Sequence, residues 1–350
     1  MLELLLAEKG RCPAAEVRDF CKLLYQSEFG AGHMAADAAS SLMRLRAECE
    51  ACSIGSAGGT QAAFTGVGGG LVRLHLRALP ALKLRLETVN GLFAQACAPR
   101  GSIAGLEAKL QMLRRNAPLL GLAEADVDAE AAPWRAAGYP APPHSQAYRA
   151  LYHPAYRLVP AAAERFLPLF QAIDALLAKK GSARIAIDGN SGAGKSTLGA
   201  LLAAAYGGNL YHMDDFFLPP GRKTAARLAE PGGNVDWERF STEVLAHLGA
   251  PFSYRPWRCH PGVFAAPVTV LPRAVEIAEG VYSMHPALRS AYDLGVFLSV
   301  TPDEQVRRIR ARSGEAMLKR FVDEWIPLEN AYFERLGVRA CCQLAFEAAG

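Results

Sequence analysis

The sequence predicts an α/β domain over its carboxyl-terminal half, with a parallel sheet and flanking helices, preceded by a mainly helical amino-terminal domain. Three observations predict this. From about residue 181, short apolar runs alternate with stretches of helical length and spacing. One of those runs leads directly into a glycine-rich loop followed by a helix. Before it, six prolines at 133, 140, 142, 143, 154 and 160 interrupt regular structure. The expected division is therefore a helical domain over 1–130, a proline-rich linker over 131–165 and the α/β domain over 166–350.

Taken in order, Ala14 to Tyr25 places Val17, Phe20, Cys21 and Leu24 at helical spacing, and Leu42 to Cys49 continues in that style. A glycine-rich stretch from Gly55 to Gly70 precedes Leu71 to Leu76, whose alternation reads as a strand, with a helix start as the alternative. Residues 164 to 179 form an amphipathic helix with Phe166, Leu169, Phe170, Ile173, Leu176 and Leu177 facing inward. Arg184 to Ile187 is a strand, Lys195 to Tyr206 a helix and Asn209 to Met213 a second strand. Arg239 to Leu248 is a helix, Ala274 to Ala278 and Val296 to Val300 are strands, and a basic helix starts at Asp303.

Composition narrows the class. The 350 residues are 51% hydrophobic and 21% charged, with a net charge of +4. Disorder of the whole chain is excluded, and the charge is too mild and dispersed for a dedicated nucleic-acid or membrane-surface binder. The eight cysteines are irregularly spaced, which argues against a disulfide framework. Cys49 and Cys52 form one C-x-x-C without a second ligand pair, so a helix end is favoured over a zinc or redox site. The start lacks a basic signal region, and no apolar run reaches the roughly 20 residues of a membrane span. A reduced, soluble, cytoplasmic protein is expected.

The strongest motif is Gly189-Asn190-Ser191-Gly192-Ala193-Gly194-Lys195-Ser196, the full G-x-x-x-x-G-K-[ST] pattern between an expected strand and an expected helix. Successive backbone N–H groups can converge on phosphate oxygens only where side chains do not clash. The helix start adds partial positive charge. Lys195 reaches the β- and γ-phosphates, and Ser196 can ligate Mg²⁺. A nucleoside triphosphate, ATP, is the expected cofactor. Two acids fall at further strand ends: Asp214, followed by Asp215, after the second strand, and Glu279 after the third. Ligands of open α/β sheets bind at those ends.

In these segments the sequence resembles the uridine kinase family, within the wider group of phosphoribulokinase and bacterial pantothenate kinase. The matching pieces are Asp188 to Thr197, Met213-Asp214-Asp215-Phe216-Phe217, Asn234 to Phe240, and Glu279-Gly280-Val281-Tyr282, in family order over roughly 181–335. The resemblance implies a P-loop kinase fold and transfer of the γ-phosphoryl group of Mg·ATP to a hydroxyl of a small molecule, first of all uridine or cytidine. It implies that Gly189, Asn190, Ser191, Gly192, Ala193, Gly194, Lys195, Ser196 and Thr197 hold the nucleotide. It makes Asp214 the catalytic aspartate, with Asp215 as helper or cap, and Ser196, Asp214 and Glu279 the Mg²⁺ contacts. Asp236 falls where sugar hydroxyls bind, and Tyr254 near an aromatic that holds the base. The chain departs from the family in two places. Cys259 takes the spacing of the base-contacting histidine and His260 follows it. The lid reads Val306-Arg307-Arg308-Ile309-Arg310-Ala311-Arg312, in which Arg308 and Arg312, an i, i+4 pair, are the expected phosphate clamps.

The amino-terminal half lies outside that resemblance. Two segments stand out there, Tyr25 to Met34 and His144 to Arg157, with histidines, tyrosines and arginines closely spaced. Residues 1–180 carry 20 Lys+Arg against 16 Asp+Glu, without a basic stripe. The expected partner is a small hydroxyl substrate, with no nucleic acid and no membrane, and a homo-oligomer is left open. Rival readings are a kinase for pantothenate, a sugar or glycerate, and a non-catalytic ATP-binding regulatory module.

Overall fold

Apolar spacing becomes buried surface from the start of the chain. The helix Val17–Phe29 buries Phe20, Leu23 and Leu24 completely, and the Asp19 carboxylate accepts the Glu16 N–H at 3.0 Å to close its first turn. The computed structural model describes residues 1–54 and 62–348, so the first part of the expected glycine-rich stretch, 55–61, lies outside the described residues. The chain divides into two units, Met1–Gln171 and Ala172–Gly350.

The first unit is mainly helical. Helices such as Leu2–Arg11, Ala38–Ile54, Leu86–Ala96, Ile103–Arg115 and Glu124–Ala136 accompany a three-stranded antiparallel sheet. Its strands are β1 (Phe64–Gly68), β2 (Leu71–His75) and β3 (Tyr156–Pro160), in that order. The alternation at Leu71 thus ends as a strand, and every residue of this central strand is buried.

The stretch 131–165, expected as a linker, is built into the first unit. It contains the end of helix Glu124–Ala136, the helix Gln146–Tyr152 and β3. Trp134 Nε1 donates to the Pro140 carbonyl at 2.7 Å, fixing the turn that follows the helix. The prolines punctuate elements here without ending the domain: Pro133 sits within the last turn of a helix, and Pro160 ends an edge strand, where a missing N–H costs no ladder bond.

In the second unit the apolar runs form a five-stranded parallel sheet. Its strands in chain order are β4 (Ala183–Gly189), β5 (Asn209–His212), β10 (Val275–Glu279), β11 (Leu294–Ser299) and β12 (Leu344–Glu347); β6 (Phe252–Tyr254), β7 (Trp257–Arg258), β8 (Val263–Phe264) and β9 (Val268–Val270) lie between them in two small antiparallel pairs. The spatial order is β12-β11-β4-β10-β5, with β4 in the centre. From β4 the chain moves to β5 on one side, and from β11 to β12 on the other, so its direction reverses beside β4. A crevice at the carboxyl ends follows from that reversal. The edge strand β12 and the pairs β6–β9 and β7–β8 lacked a strong pattern, being short and largely half-exposed. The expected helix over Arg239–Leu248 runs Trp237–Glu243 and tightens into a separate turn at Leu245–His247.

Candidate active site

Residue 189 must be glycine for a local reason. Its φ is 133°, and a Cβ there would lie 1.9 Å from the Leu298 carbonyl oxygen of β11. The loop it opens runs to Gly194, at φ 95°, which starts the helix Lys195–Tyr206. That places loop N–H groups and a helix N-terminus above the central strand, the arrangement that favours phosphate. Lys195 is buried, and its Nζ donates to the carbonyls of Gly189 at 2.8 Å and Asn190 at 3.0 Å. The ammonium is thereby folded over the loop itself.

Behind the loop stands Asp188, fully buried. It accepts from the N–H groups of Gly189 (2.7 Å), Tyr282 (3.3 Å) and Met284 (2.9 Å) and from the Tyr332 hydroxyl (2.8 Å). Burial pushes its carboxyl up to about 6, against the pull of those donors. Asp188 thereby ties the loop to the segment that follows Glu279 and to the helix Ile326–Arg335.

The acids meet as the strand ends required. Glu279 ends β10, between β4 and β5. Its Oε2 accepts from Ser196 Oγ at 3.1 Å and its Oε1 lies 2.5 Å from His212 Nδ1 at the end of β5. This bond to Glu279 raises the His212 imidazole. Asp214 follows β5 in the turn Met213–Phe216, exposed yet with protein packed around it. Its carboxyl is raised, first by loss of water and then by the charge of Glu279. A carboxylate whose charge is disfavoured by a neighbouring one, with a serine hydroxyl on that neighbour, suits a hard divalent cation. No group of three His, Cys, Asp or Glu side chains close enough to enclose a metal occurs among the described residues.

The other expected residues are placed unequally. Asp215 is buried and paired with Arg258; burial raises its carboxyl and Arg258 lowers it, with a net rise. Asp236 is fully buried, caps the helix Trp237–Glu243 by accepting the Arg239 N–H at 3.2 Å, and pairs with Arg222 at 2.5 Å. Tyr254 lies in an aromatic cluster, its ring stacked on Phe216 with centroids 5.5 Å apart, and burial pushes its hydroxyl up to about 12. His260 is exposed in the turn between β7 and β8. Of the two lid arginines, Arg308 reaches the loop, with Nη1 3.2 Å from the Gly192 carbonyl and Nε on Glu304. Arg312 turns away, to the Ser313 hydroxyl at 3.2 Å and the Phe321 ring. The helix Pro302–Arg320 breaks between them and its end, at Gly314 with φ 77° and ψ 172°.

Two loop contacts were outside the sequence reading. Glu329, nearly buried, accepts from Ser191 N at 3.0 Å and from Ser191 Oγ at 2.5 Å, while Gln305 Nε2 donates to the Ser191 carbonyl at 3.0 Å. Burial raises the Glu329 carboxyl and Lys195 opposes the rise. Nothing local marks either residue, because Glu329 lies 138 positions from its partner.

No family model matches this chain, and no curated protein matches it in sequence. Among solved structures it is similar to a possible uridine kinase from Bacillus stearothermophilus, at 19% identity and a TM-score of 0.39, over 51% of this chain and 99% of that one. It is similar to a protein from Silicibacter sp. TM1040 provisionally described as a fructose transport system kinase, at 23% identity and a TM-score of 0.39, over 47% and 89%. A shikimate kinase from Acinetobacter baumannii is similar at 19% identity and a TM-score of 0.29, over 49% and 87%. By its own geometry the carboxyl-terminal unit is an α/β P-loop domain, with a lysine-bearing loop over its central strand and carboxylates at the two strand ends beside it.

Proposed function

We propose that this chain is an ATP-dependent kinase that transfers the γ-phosphoryl group to a hydroxyl of a small molecule. The observation that carries this reading is the placement of the P-loop, Glu279 and Asp214 at the carboxyl ends of three neighbouring strands. A P-loop alone serves switches and motors as well as kinases. A carboxylate beside the loop, raised yet open to solvent, is what a phosphoryl acceptor needs.

The loop N–H groups and Lys195 bind the triphosphate, Lys195 exchanging the loop carbonyls for phosphate oxygens. Ser196, Glu279 and Asp214 would hold Mg²⁺, which supplies charge neutralisation on the transferred group when bound. Asp214 orients the acceptor hydroxyl and takes its proton as the oxygen attacks in line. Its raised proton affinity suits it to that step. Arg308 is the nearer of the two expected lid arginines to the loop and stabilises charge on the phosphates, while Arg312, one turn further along the same segment, is turned away from it. Most of the acceleration comes from positioning and electrostatics.

For the acceptor, the resemblance favours a pyrimidine nucleoside; Asp236, which it places on the sugar hydroxyls, is buried on Arg222 and a helix start and would have to be uncovered to reach them. A second reading, a hydroxy acid such as glycerate or pantothenate, is favoured by Arg222 and Arg258. Both side chains are about half exposed while their acids Asp236 and Asp215 are buried, so each has a face left for a carboxylate. The test is ATP consumption by the purified chain across nucleosides, sugars and hydroxy acids. Turnover with one class names the acceptor; ATP binding with no turnover across the panel sinks the kinase reading in favour of a regulatory module.

A further inference from the structure

The phosphate loop contains three glycines, Gly189, Gly192 and Gly194, at φ 133°, 79° and 95°. Glycine backbone has many conformations open to it, so the loop's shape has to be imposed by its neighbours. The sheet and the loop supply part of that order. Asn190 N–H donates to the Leu298 carbonyl of β11 at 3.1 Å, and Ala193 N–H to the Asn190 carbonyl at 3.1 Å.

Ser191 is held from elsewhere. Its N–H donates to Glu329 Oε2 at 3.0 Å, its Oγ to Glu329 Oε1 at 2.5 Å, and its carbonyl accepts from Gln305 Nε2 at 3.0 Å. Both donors of Ser191 are thus spent on Glu329 and do not meet a phosphate oxygen. The two holders come from the helices Ile326–Arg335 and Pro302–Arg320.

Those holders are firmly seated. Glu329 is 4% exposed and Gln305 5%. One turn after Glu329, Tyr332 is fully buried and donates to Asp188, and Phe333 packs on Phe297 of β11 with ring centroids 5.1 Å apart. The helix therefore takes its position from the sheet and passes it to the loop.

Glu329 has the wrong charge for a triphosphate. A carboxylate beside the loop opposes the anion that the loop binds, so Glu329 does not serve as a phosphate ligand. What a carboxylate does well is accept two donors at once, one on each oxygen. Here both donors belong to the same loop residue.

We propose that Glu329 is a positioning residue for the P-loop: by holding Ser191 N–H and Oγ, with Gln305 on the carbonyl, it sets the direction of the following loop N–H groups before the nucleotide arrives. The cost of ordering the glycine loop is then met during folding rather than on binding. The inference rests on nucleotide binding by the P-loop, and adds that the chain after the lid prepares the loop for it.

The test is titration of the full chain with ATP and with inorganic tripolyphosphate, joined to steady-state rates on whichever acceptor turns over. Glu329→Ala frees Ser191 and should weaken both ligands about tenfold, raising the KM for ATP likewise while kcat changes less than about threefold. Glu329→Gln should return both affinities to within about threefold of the parent, since its Oε1 can accept the amide N–H and its Nε2 can donate to Ser191 Oγ. That rescue, and the equal loss for tripolyphosphate, separate positioning from a general loss of structure. Gln305→Ala should act in the same direction by about threefold. Parental or tighter ATP binding in Glu329→Ala, affinity in Glu329→Gln as low as in Glu329→Ala, or a loss confined to kcat overturns the proposal. Where Glu329→Ala fails to fold, parental affinity in Gln305→Ala overturns it instead. A parent chain that binds neither ATP nor tripolyphosphate sinks this inference together with the nucleotide reading. Binding without turnover on any acceptor sinks the kinase reading alone, and the affinities still decide this one.

Discussion

The two units hold buried charge in opposite ways. In the first, Glu8 and Arg73 are each 2% exposed at the side chain and spend themselves on each other and on Gln26, Arg11 and Tyr148. Glu8 is held down at about 2, the attraction of Arg73 and three hydrogen bonds outweighing burial. In the second, Glu279 and Asp214 face one crevice, and the charge of one raises the other. A satisfied network fixes a structure, whereas like charges kept together beside a phosphate loop mark a place where something else is meant to bind.

Five substitutions break or sharpen that contrast. Asp214→Asn should lower turnover by about 10²–10⁴-fold while leaving ATP affinity near normal and the unfolding midpoint unchanged; steady-state rates and nucleotide titration check it. In the first unit, Glu8→Gln strands a buried guanidinium and should destabilise that unit by about 3–5 kcal/mol. Denaturant unfolding of the full chain would show this as an earlier transition with nucleotide binding retained.

The third prediction concerns pH. Burial, and then Arg73, push His75 down to about 4, below its ordinary 6.5. The unfolded chain therefore takes up a proton that the folded unit refuses. The stability associated with neutral His75 is complete above about pH 6.5 and is lost as pH falls toward 4, by up to about 3 kcal/mol. His75→Gln, which retains a partner for Thr65 Oγ1 at 3.0 Å, should flatten this part of the stability profile relative to the parent. The smallest effect is expected in the lid. Arg308→Ala should lower turnover about tenfold, because Arg308 reaches the loop, and Arg312→Ala less than about threefold, because its contacts are exposed. Equal losses would mean that Arg312 also reaches the phosphates during turnover.

The P-loop was readable because its chemistry is written in eight adjacent residues whose backbone does the binding. Asp214 and Glu279 were readable because strand ends converge in any parallel sheet, so an acid after a strand is placed before the fold is known in detail. The packing of Tyr254 was not readable, for the opposite reason. Its neighbours in sequence gave no sign that its ring would pack on Phe216 inside an aromatic cluster. The prolines of 131–165 misled likewise, since proline breaks elements and domains alike, and only the pairing of β3 with β2 shows which occurred.

Local order along the chain by itself determined the parallel α/β unit, the loop and the strand-end acids, because periodicity and backbone chemistry act over a few residues. Only the tertiary structure decided that Glu329 and Gln305 grip Ser191, that Arg308 rather than Arg312 meets the loop, and that Lys22, Tyr156 and Arg157 share one cavity. Those contacts join residues over a hundred positions apart, and their worth comes from burial, which no short window of sequence contains.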